Sequence, residues 1–485
     1  MKRAAGLDAL LDGTLDVLVV GGGIVGSGVA RDAAMRGLRT GLIDRHDFAY
    51  GTSSRSSRLL HGGLRYLEQG RVGLVRQASV EKRILHRIAP HLAQPLGFVF
   101  PTYAGGRPLW QLRIGVTLYD LLCGGKNFEP SRGLSARETT DRIPALESHQ
   151  LLGAVRYFDA LTHDARLTLD TLRSAVRHGA AAANYTRLVE ARREGDAWVC
   201  LVRDEAAGRE LQVRSRTLVN ATGPWAQSLP HSQVRLRLTK GIHLVIHRHR
   251  LPVSDAVVLT EGKRILFVIP WGERLIIGTT DTDYDGPPES VTTDASDLTY
   301  LLDTVNRFFP TVALTQTDIL STWAGLRPLI AKADGSPSGI SRGHHIKMSS
   351  PGWWDIAGGK LTTYRLMAEH TVDQLVRHLG RFRVPCRTAN EPLLPAESPA
   401  YSGLLPPPCE RAVVDHYVQN EWALHLTDVM LRRSGWHYYN PNAASQAEQV
   451  AHWMAQASGW DQARLQAELL LYRQNTGQPP ARAAN

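Results

Sequence analysis

Short apolar runs and helical patterns alternate at the start of the chain. Val17–Val20 is a run of aliphatic, mostly β-branched residues, the pattern of a strand that is buried on both faces of a sheet. The glycine turn GGGIVG follows, then a helix of small residues that ends near Arg36, and then a second apolar run at Thr40–Ile43. This order predicts a βαβ unit whose two strands are parallel.

The middle of the chain is richer in strand patterns. Apolar runs on either side of Trp271–Arg274 predict a hairpin and, with it, an antiparallel sheet. Before the hairpin, the pattern predicts a helix at Asp164–His178 and strands at Leu188–Arg192, Trp198–Val202 and Arg216–Asn220. After it, a glycine turn opens a helix at Gly359–Leu379, seven prolines stiffen residues 385–408, and residues 409–474 have a helical pattern.

Composition and charge narrow the class of protein. The chain has 485 residues, of which 43% are apolar and 21% charged, so it is long enough for several domains and is not disordered. The formal charge of +10 suits an anionic substrate, a membrane surface or nucleic acid. Nucleic acid is the least favoured of the three, because no run of five basic residues occurs. An ordinary basic surface is the alternative.

Cysteine usage and hydropathy indicate a reducing compartment and no membrane span. The four cysteines are scattered without a C-x-x-C pair, so we expect neither a disulfide framework nor a metal site. Asp8, Asp12 and Asp16 interrupt the apolar core that a signal peptide needs. The longest charge-free stretch, near residues 88–106, contains three prolines and cannot be a spanning helix. We therefore expect a soluble protein, or one that lies on a membrane face.

The strongest local motif is the glycine turn after the first strand. Gly21 permits a tight turn, Gly23 lets the backbone approach a pyrophosphate, and Gly26 lets helix and strand pack closely. Asp44 follows the second strand, eighteen residues beyond Gly26, where a carboxylate accepts ribose hydroxyls. The pattern predicts a dinucleotide site without separating NAD from FAD. A tight turn that binds no ligand is the alternative.

A second segment favours a dinucleotide that is contacted from two sides. The sequence LVNATGPW at 218–225 is an apolar strand that ends in a turn of small residues, including Ala221, Thr222 and Gly223, before Trp225. Such a turn lets the backbone pass close to a nucleotide already held by the first glycine turn. An ordinary strand followed by a proline turn is equally compatible with this segment.

Five blocks in order carry a family resemblance. They are GTSSRSSRLLHGGLRYLE (51–68), LTKGIHLVI (238–246), FVIPWGERLIIGTTDTD (267–283), WAGLRPLI (323–330) and GGKLTTYR (358–365). With these blocks the chain resembles the FAD-dependent, respiratory glycerol-3-phosphate dehydrogenases of the D-amino-acid-oxidase-like flavoprotein superfamily. The resemblance runs from about Asp16 to His378 and is weaker beyond. Asp44 departs from the glutamate that is commoner in this superfamily.

The resemblance implies an α/β fold with three parts. We expect a Rossmann-like, discontinuous FAD-binding domain made from residues 16–90, 155–235 and 345–382. An inserted substrate-binding (cap) domain with a mixed or antiparallel sheet would comprise residues 91–154 and 236–344. A Pro-rich linker at 385–408 would then lead to a C-terminal α-helical domain at 409–485.

The resemblance also implies the residues that bind substrate and carry out the reaction. A glycerol phosphate needs cationic groups and donors around its phosphate, for which Arg65, Arg327, Lys360 and the Tyr66 hydroxyl are the candidates. Oxidation of its alcohol needs a base that is neutral near pH 7, as histidine is. We favour His243 as this base, with His61 close to the flavin ring, although the sequence does not order the two.

The FAD-binding residues follow from the same blocks and from the two glycine turns. Gly358 and Gly359, ahead of a helix, would turn backbone N–H groups towards the flavin. The expected set is Gly21, Gly23, Ile24, Gly26, Asp44, Thr52, Ser53, Ser57, Leu59, His61, Gly62, Val189, Ala221, Thr222, Gly223, Trp225, Gly358, Gly359, Lys360, Leu361 and Thr362.

The expected reaction is oxidation of sn-glycerol 3-phosphate to dihydroxyacetone phosphate, with hydride transfer to FAD and electrons passed to a membrane quinone. An oxidase that uses O₂ and a flavin-dependent amine oxidase are the alternatives. We expect a cytoplasmic location, peripheral on the inner face of the cytoplasmic membrane, with a homodimer left open. Residues 71–88 are a candidate basic amphipathic surface; an ordinary solvated helix is the alternative.

Overall fold

A computed structural model describes residues 3–477 except 126, 263, 332–343, 383 and 396–399, and leaves out the side chains of Arg65, Glu68 and His344. Its strands are β1 Thr14–Val20, β2 Thr40–Ile43, β3 Leu59–Leu60, β4 Ala93–Tyr103, β5 Arg132–Ser135, β6 Leu151–Thr162, β7 Ala181–Ala183, β8 Thr186–Glu194, β9 Ala197–Asp204, β10 Arg209–Asn220, β11 Leu236–His247, β12 Ala256–Glu261, β13 Arg264–Trp271, β14 Arg274–Gly278, β15 Thr282–Asp283, β16 Ile319–Ile330, β17 His344–Ser350 and β18 Trp353–Gly358.

Its α-helices are α1 Arg3–Leu11, α2 Ile24–Met35, α3 Arg65–Glu68, α4 Val72–Ile88, α5 Leu109–Leu122, α6 Ala136–Arg142, α7 Asp164–Arg177, α8 Ala295–Phe308, α9 Tyr364–His378, α10 Arg411–Asn420, α11 Trp436–Tyr439, α12 Ala443–Ser458 and α13 Gln462–Thr476. The βαβ unit predicted from the apolar runs is therefore β1, α2 and β2, and the two strands pair in parallel.

The first sheet has a parallel centre. Its order is β17-β18-β10-β1-β2-β7, with β17 antiparallel to β18, and β8 and β9 extend it from β10. Val17 and Val19 face α2, α7 and α9, whereas Leu18 and Val20 face a second core with α1. Burial on both faces explains why β1 is a continuous apolar run rather than an alternating one.

The second sheet is mixed and larger. Its order is β15-β11-β14-β13-β12-β4-β6-β3, with β16 paired to β11 and β5 to β6. The hairpin predicted around Trp271–Arg274 is β13 and β14, which pair antiparallel. β4 and β12 pair in parallel, so the sheet is not wholly antiparallel. The fold is α/β, with a Rossmann-like sheet beside a mixed sheet and a helical C-terminal region around its own core.

The chain passes between the two sheets several times. Strands of the first sheet come from the three stretches expected for the FAD-binding domain. Two strands do not follow the predicted bounds: β3 pairs with β6, and β6 runs across the predicted boundary at 154/155 as a strand of the second sheet. A strand that must pair along its length cannot be divided at a change in sequence pattern. The domain bounds as a whole stay a prediction.

Helix α4, which contains most of the candidate membrane surface at residues 71–88, packs its apolar side on the protein. Its apolar side chains Val75 and Leu85 lie in the core. Lys82, counted among its basic residues, is buried and pairs with Asp159 at 2.8 Å. The alternative, a helix packed on the protein, is what the structure shows, because its amphipathic pattern is satisfied by burial inside the protein.

Candidate active site

One cavity of about 820 Å³ lies between the two sheets. That volume is within the range of pockets that bind organic ligands. Val20 of β1 and Ala221, just after β10, line one end, and His243 and Arg327 of the second sheet line the other. We call the first the nucleotide end and the second the substrate end, after the residues that the sequence predicts for each.

The nucleotide end is built from backbone that side chains would obstruct. Gly21 has a φ of 109°, and a Cβ there would lie 2.6 Å from the carbonyl oxygen of Ala221. A Cβ on Gly26 would overlap the carbonyl oxygen of Gly21, so this glycine lets α2 approach β1. Helix α2 begins at Ile24, whose N–H donates to Ser53 Oγ at 3.0 Å. The positive end of the helix dipole thus lies at the cavity.

Asp44 lies at the end of β2, on the cavity wall. One carboxylate oxygen accepts from the N–H of Gly22 at 2.7 Å, and the other accepts from the N–H of His46 at 2.8 Å. Burial raises the pKa of Asp44 to about 7, although these two backbone donors oppose the rise. A carboxylate held this way can accept further hydrogen bonds from a ribose.

The turn after β10 closes the nucleotide end from the opposite side. The N–H of Ala221 donates to the carbonyl of Val20 at 2.9 Å, and the Thr222 hydroxyl donates to Asn220 at 2.7 Å. The indole N–H of Trp225 donates to Glu289 at 2.7 Å. Together with Gly223, these residues line the cavity next to the first glycine turn.

The substrate end depends on the register of β11 with β16. His243 lies opposite Trp323, Gly241 opposite Gly325, and Thr239 opposite Arg327. Because side chains alternate along a strand, these pairs share one face of the sheet. Two blocks that are eighty residues apart in the sequence are therefore neighbours at the cavity.

His243 is buried, and a hydroxyl group bonds its ring. Nε2 lies 2.8 Å from the Ser57 hydroxyl, and the ring stacks on Trp323 with centroids 5.1 Å apart. Nδ1 has no hydrogen-bond partner among the described residues. Burial lowers the pKa of His243 to about 3, with smaller contributions from Arg327 and Arg58. The imidazole is thus neutral at physiological pH, as a proton acceptor must be.

Arg327 lies across Gly241, where a Cβ would come within 2.5 Å of its guanidinium. It donates to Thr279 Oγ1 at 2.9 Å and to the carbonyl of Thr280 at 3.3 Å. It also pairs with Asp281 at 3.2 Å. These contacts fix the planar guanidinium at the cavity wall, where its shape and charge suit an anion.

Lys360 is a second cationic group on the cavity wall, and its ammonium lies over the ring of Tyr66. The ammonium lies 3.7 Å from the centroid of the Tyr66 ring and 3.5 Å from the carbonyl oxygen of Gly62. Gly63, with a φ of 82°, allows this approach, because a Cβ there would meet the Tyr66 ring. Arg65, the other predicted phosphate ligand, has its side chain outside the described residues.

The loop between Gly51 and His61 runs along the cavity between its two ends. Backbone N–H of His61 donates to the Thr362 hydroxyl at 3.0 Å, so this loop meets the turn before α9. Of the predicted FAD residues in these two segments, the cavity wall includes Thr52, Ser53, Ser57, Leu59, His61, Gly358, Gly359, Lys360, Leu361 and Thr362.

Comparison with known proteins identifies the family to which this chain belongs. Residues 16–373 match the family model described as FAD dependent oxidoreductase, and residues 405–465 match the C-terminal domain of alpha-glycerophosphate oxidase. The chain belongs to the FAD-dependent oxidoreductase family. The resemblance stated from the five sequence blocks is confirmed.

Relatives of this flavoprotein include named dehydrogenases. Glycerol-3-phosphate dehydrogenase 2 of Mycobacterium tuberculosis is 40% identical over 403 residues, which are 82% of this chain and 69% of the relative. Aerobic glycerol-3-phosphate dehydrogenase of Bacillus subtilis is 40% identical over 405 residues, 81% of this chain and 73% of the relative. The identity is high enough to place the flavoprotein in this group of relatives.

Solved structures agree with this placement. The glycerol-3-phosphate dehydrogenase of Bacillus halodurans, complexed with FAD, superposes with a TM-score of 0.78 at 28% identity, covering 100% of this chain and 99% of that one. L-alpha-glycerophosphate oxidase of Mycoplasma pneumoniae has a TM-score of 0.61 at 16% identity, covering 77% of this chain and 97% of that one. The second likeness shows the fold alone.

The nucleotide end fits FAD, the cofactor of the family. A Cβ at Gly21 would collide with the carbonyl oxygen of Ala221, so the glycine lets the two turns that line this end of the cavity lie side by side. The carboxylate of Asp44, the N-terminus of α2 and the turn after β10 would hold the ribose and the phosphates. Asp44 stands at the position where glutamate is commoner in the superfamily.

Three predicted FAD residues do not line the cavity wall. Gly26 packs between α2 and β1, and Gly62 is buried beneath Tyr119, whose hydroxyl accepts from its N–H at 2.8 Å. Val189 has an exposed side chain, while its neighbours Arg187 and Leu188 line the cavity. The reason is that β8 alternates inward and outward and carries an irregularity between Leu188 and Glu190.

Sequence reasoning missed several residues of the substrate end. Thr279 and Asp281 fix Arg327, and Trp323 stacks on His243, yet these were quoted only as parts of family blocks. Arg58 is fully buried over the rings of Trp271 and Trp323, at 4.3 and 5.1 Å from their centroids. Only the pairing of β11 with β14 and β16 brings these side chains together, and a single sequence carries no signal of that register.

Proposed function

We propose that the protein oxidises sn-glycerol 3-phosphate to dihydroxyacetone phosphate. The observation that carries the proposal is the position of Arg327, Lys360, Tyr66 and a neutral His243 along the same cavity as the FAD cradle. The named activity of the relatives supports the same substrate. FAD, when bound, supplies the acceptor for the hydride that leaves C2.

The cationic side chains would hold the phosphate. Arg327 presents a planar guanidinium whose orientation Thr279 and Asp281 fix. Lys360 supplies a point charge from another segment of the wall, next to the Tyr66 ring. A phosphate bound between them would orient the glycerol carbon chain in the cavity, and so convert affinity for the phosphate into alignment of the alcohol.

His243 would remove the proton from the C2 hydroxyl. Nε2 already bonds the Ser57 hydroxyl at 2.8 Å, so the ring presents this atom to oxygen ligands. Stacking on Trp323 restricts rotation of the ring out of that orientation. The low pKa keeps the ring free of a proton before the substrate binds. We assign His61 to the flavin side of the site through its backbone contact with Thr362.

We propose that the electrons leave for a membrane quinone, with the protein peripheral on the inner face of the cytoplasmic membrane. Among the described residues, no helix has both the length and the apolar character needed to cross a bilayer. The formal charge of +10 favours an anionic surface. Part of the cavity wall is apolar and aromatic, with Phe98, Phe100 and Phe267, as an apolar acceptor would need.

Parallel assays of three acceptors test the reaction. With glycerol 3-phosphate, the purified protein should reduce a quinone analogue or a redox dye, form little hydrogen peroxide in air, and leave NAD⁺ unreduced. Stoichiometric peroxide would instead support the oxidase alternative. Turnover of small amines without turnover of glycerol 3-phosphate would support the amine-oxidase alternative and refute the proposal.

A further inference from the structure

The loop that follows β2 forms part of the nucleotide end. Residues 44–50, which we call the β2 loop, contribute Asp44, Arg45, His46 and Tyr50 to the cavity wall. The rings of His46 and Tyr50 stack with their centroids 4.1 Å apart. Asp44 is the carboxylate expected to bind the ribose, so the conformation of the β2 loop decides where this acceptor and the two rings lie.

The β2 loop also packs against the first glycine turn. The N–H of Ala49 donates to the carbonyl of Gly22 at 3.0 Å. The ring of Phe48 lies against the same glycine, since a Cβ on Gly22 would overlap this ring. The N–H of Gly22 in turn donates to Asp44 at 2.7 Å. A shift of the β2 loop would therefore displace the glycine turn and Asp44 together.

Two neighbouring arginines of the helical C-terminal region bind Asp47 of the β2 loop. Arg433 forms a bidentate pair with this carboxylate, in which Nη1 and Nη2 donate to Oδ2 and Oδ1 at 2.5 and 2.7 Å. Arg432 Nε donates to Oδ2 at 2.5 Å, and the side-chain amide of Asn184 donates to Oδ1 at 3.0 Å. Asp47 is fully buried and is not part of the cavity wall, so these hydrogen bonds hold the loop and do not serve a ligand.

Other contacts within the C-terminal region fix the two arginines. Arg432 Nη2 donates to Asp428 at 2.6 Å, and Arg433 Nε donates to the carbonyl of Glu421 at 2.9 Å. Both arginines lie at the end of a π-helical turn, Asp428–Arg433, a rare helix type that is frequent at functional sites. The two guanidinium groups are therefore held in place before they meet the β2 loop.

A second contact joins the same two parts of the protein. The rings of Trp422 and Phe48 meet at a right angle with their centroids 5.4 Å apart, and Phe48 is the residue that lies against Gly22. Trp422 and the two arginines belong to residues 405–465, which match a family model of their own. A region outside the βαβ unit thus reaches the glycine turn through Asp47 and Phe48.

The charge of Asp47 makes its partners hard to replace. Burial alone would raise the pKa of Asp47, but Arg433 and Arg432 lower it to about 2, so the carboxylate is ionised. Besides burial, this charge contributes to the raised pKa of Asp44. A buried carboxylate that loses its guanidinium must take up a proton or move towards water, and either change alters the loop to which Asp44 belongs.

We propose that Arg432 and Arg433 are positioning residues for FAD: by holding Asp47, and with it the β2 loop, the helical C-terminal region supports the nucleotide end of the cavity. Neither arginine lines the cavity, so both would act through the loop. This inference goes beyond the proposed function, because it concerns the cofactor alone and holds for any substrate or electron acceptor.

Release of FAD from the purified holoenzyme tests the proposal. Arg433→Met removes the bidentate pair, whereas Arg433→Lys keeps the charge and only part of the hydrogen bonding. Arg274→Met is the matched control. Arg274 is also buried and also joins the C-terminal region to the rest of the protein, by donating to the carbonyl of Tyr439 at 2.8 Å. Its hydrogen bonds among the described residues do not reach the β2 loop.

Recovery of flavin fluorescence after dilution measures the rate at which FAD dissociates. This rate should rise roughly tenfold or more in Arg433→Met, the equivalent of one lost charge-assisted hydrogen bond. It should rise less in Arg433→Lys and stay at the wild-type value in Arg274→Met. With excess FAD in the assay, kcat and KM of Arg433→Met should equal those of wild type, since the substrate end is intact.

Thermal unfolding, followed by circular dichroism, separates positioning from general stability. A lower melting temperature of Arg433→Met with a wild-type rate of FAD release would show a contact that stabilises the fold only, and would overturn the proposal. Equal rates of release from Arg433→Met and Arg274→Met would also overturn it, as would a fall in kcat that excess FAD does not restore. If Arg433→Met does not fold, the rate of release from Arg433→Lys decides: a value equal to that of Arg274→Met refutes the proposal.

Discussion

The two ends of the cavity are made in different ways. At the nucleotide end, Gly21, Gly26 and Asp44 belong to one βαβ unit within thirty residues of each other, and the N–H of Gly22 donates to the Asp44 carboxylate. At the substrate end, side chains from β11, β16 and the turn before α9 are brought together, and these segments are spread over more than a hundred residues of the chain. The βαβ part of the nucleotide end is local in sequence and rests on a backbone turn, whereas the substrate end is assembled from side chains of distant segments.

This difference predicts that the two ends can be disabled separately. Substitutions at the substrate end do not alter the glycine turns, so they should leave FAD bound. Substitutions at the nucleotide end should change FAD affinity and affect turnover only through cofactor loss. Each experiment below measures flavin content and turnover together, so that failure at one end is not mistaken for failure at the other.

Replacement of the base should have the largest effect. In His243→Asn the neutral ring that accepts the alcohol proton is lost, and kcat should fall by roughly 10²- to 10⁴-fold, the usual contribution of a general base. The flavin content should stay at the wild-type level, because the ring contacts Ser57 and Trp323 and not the glycine turns of the nucleotide end. Steady-state kinetics with a dye acceptor and the visible flavin spectrum measure both quantities.

His247→Ala is the matched control for that variant, since His247 ends the same strand and contacts Arg274 away from the cavity. It should retain wild-type turnover. A loss in His243→Asn that is smaller than tenfold, or one that is accompanied by release of flavin, would remove His243 from the role of base and leave His61 as the candidate.

Substitution of Arg327 should have the second largest effect on turnover. Arg327→Lys keeps the charge but loses the planar fork, so kcat/KM should fall roughly 10- to 150-fold, the equivalent of one lost charge-assisted hydrogen bond. Arg327→Ala should be worse, and inorganic phosphate or phosphite should partly restore oxidation of glycerol. Arg250→Lys is the control: this arginine pairs with Asp318 at 2.6 Å and does not line the cavity. Wild-type kinetics for Arg327→Lys would contradict the assignment.

At the nucleotide end, FAD affinity should depend on pH through Asp44. Because burial raises its pKa to about 7, the apoprotein's carboxyl is protonated below that pH and ionised above it. Ribose hydroxyls need the ionised acceptor, so binding releases a proton and the affinity should fall roughly tenfold from pH 8 to pH 6. Titration of apoprotein with FAD measures this, and Asp44→Asn should abolish the pH dependence. A flat profile in wild type would exclude ribose binding by an ionised Asp44.

The same contrast explains how far the sequence alone could be interpreted. β1, α2 and β2 are visible because apolar runs, small residues and glycines follow one another within a single unit, and Asp44 is placed by that unit alone. Arg327 and His243 were found only through family resemblance, since their neighbours Asp281 and Trp323 depend on strand register. The position of Val189 could not be predicted for a similar reason: which residues of β8 line the cavity depends on an irregularity in its pairing.

The amphipathic patterns of α4 and α5 show the same limit of sequence-based prediction. The periodic basic and apolar residues of α4 suggested a membrane face, but that helix buries its apolar side within the protein. α5 has apolar residues on both faces, so its sequence resembles that of a buried helix, and only the packing shows which face stays exposed. Amphipathic pattern alone does not distinguish a face that meets lipid from one that meets the core.

Anaerobic addition of substrate to the purified, oxidised protein tests the central claim most directly. The claim is that one cavity holds FAD at one end and a phosphorylated alcohol at the other. With sn-glycerol 3-phosphate, the visible flavin absorption should bleach in full at one equivalent per flavin in wild type, and much more slowly in Arg327→Lys. Glycerol and small amines should cause no bleaching. Equal bleaching by glycerol, or bleaching by an amine but not by glycerol 3-phosphate, would contradict the account.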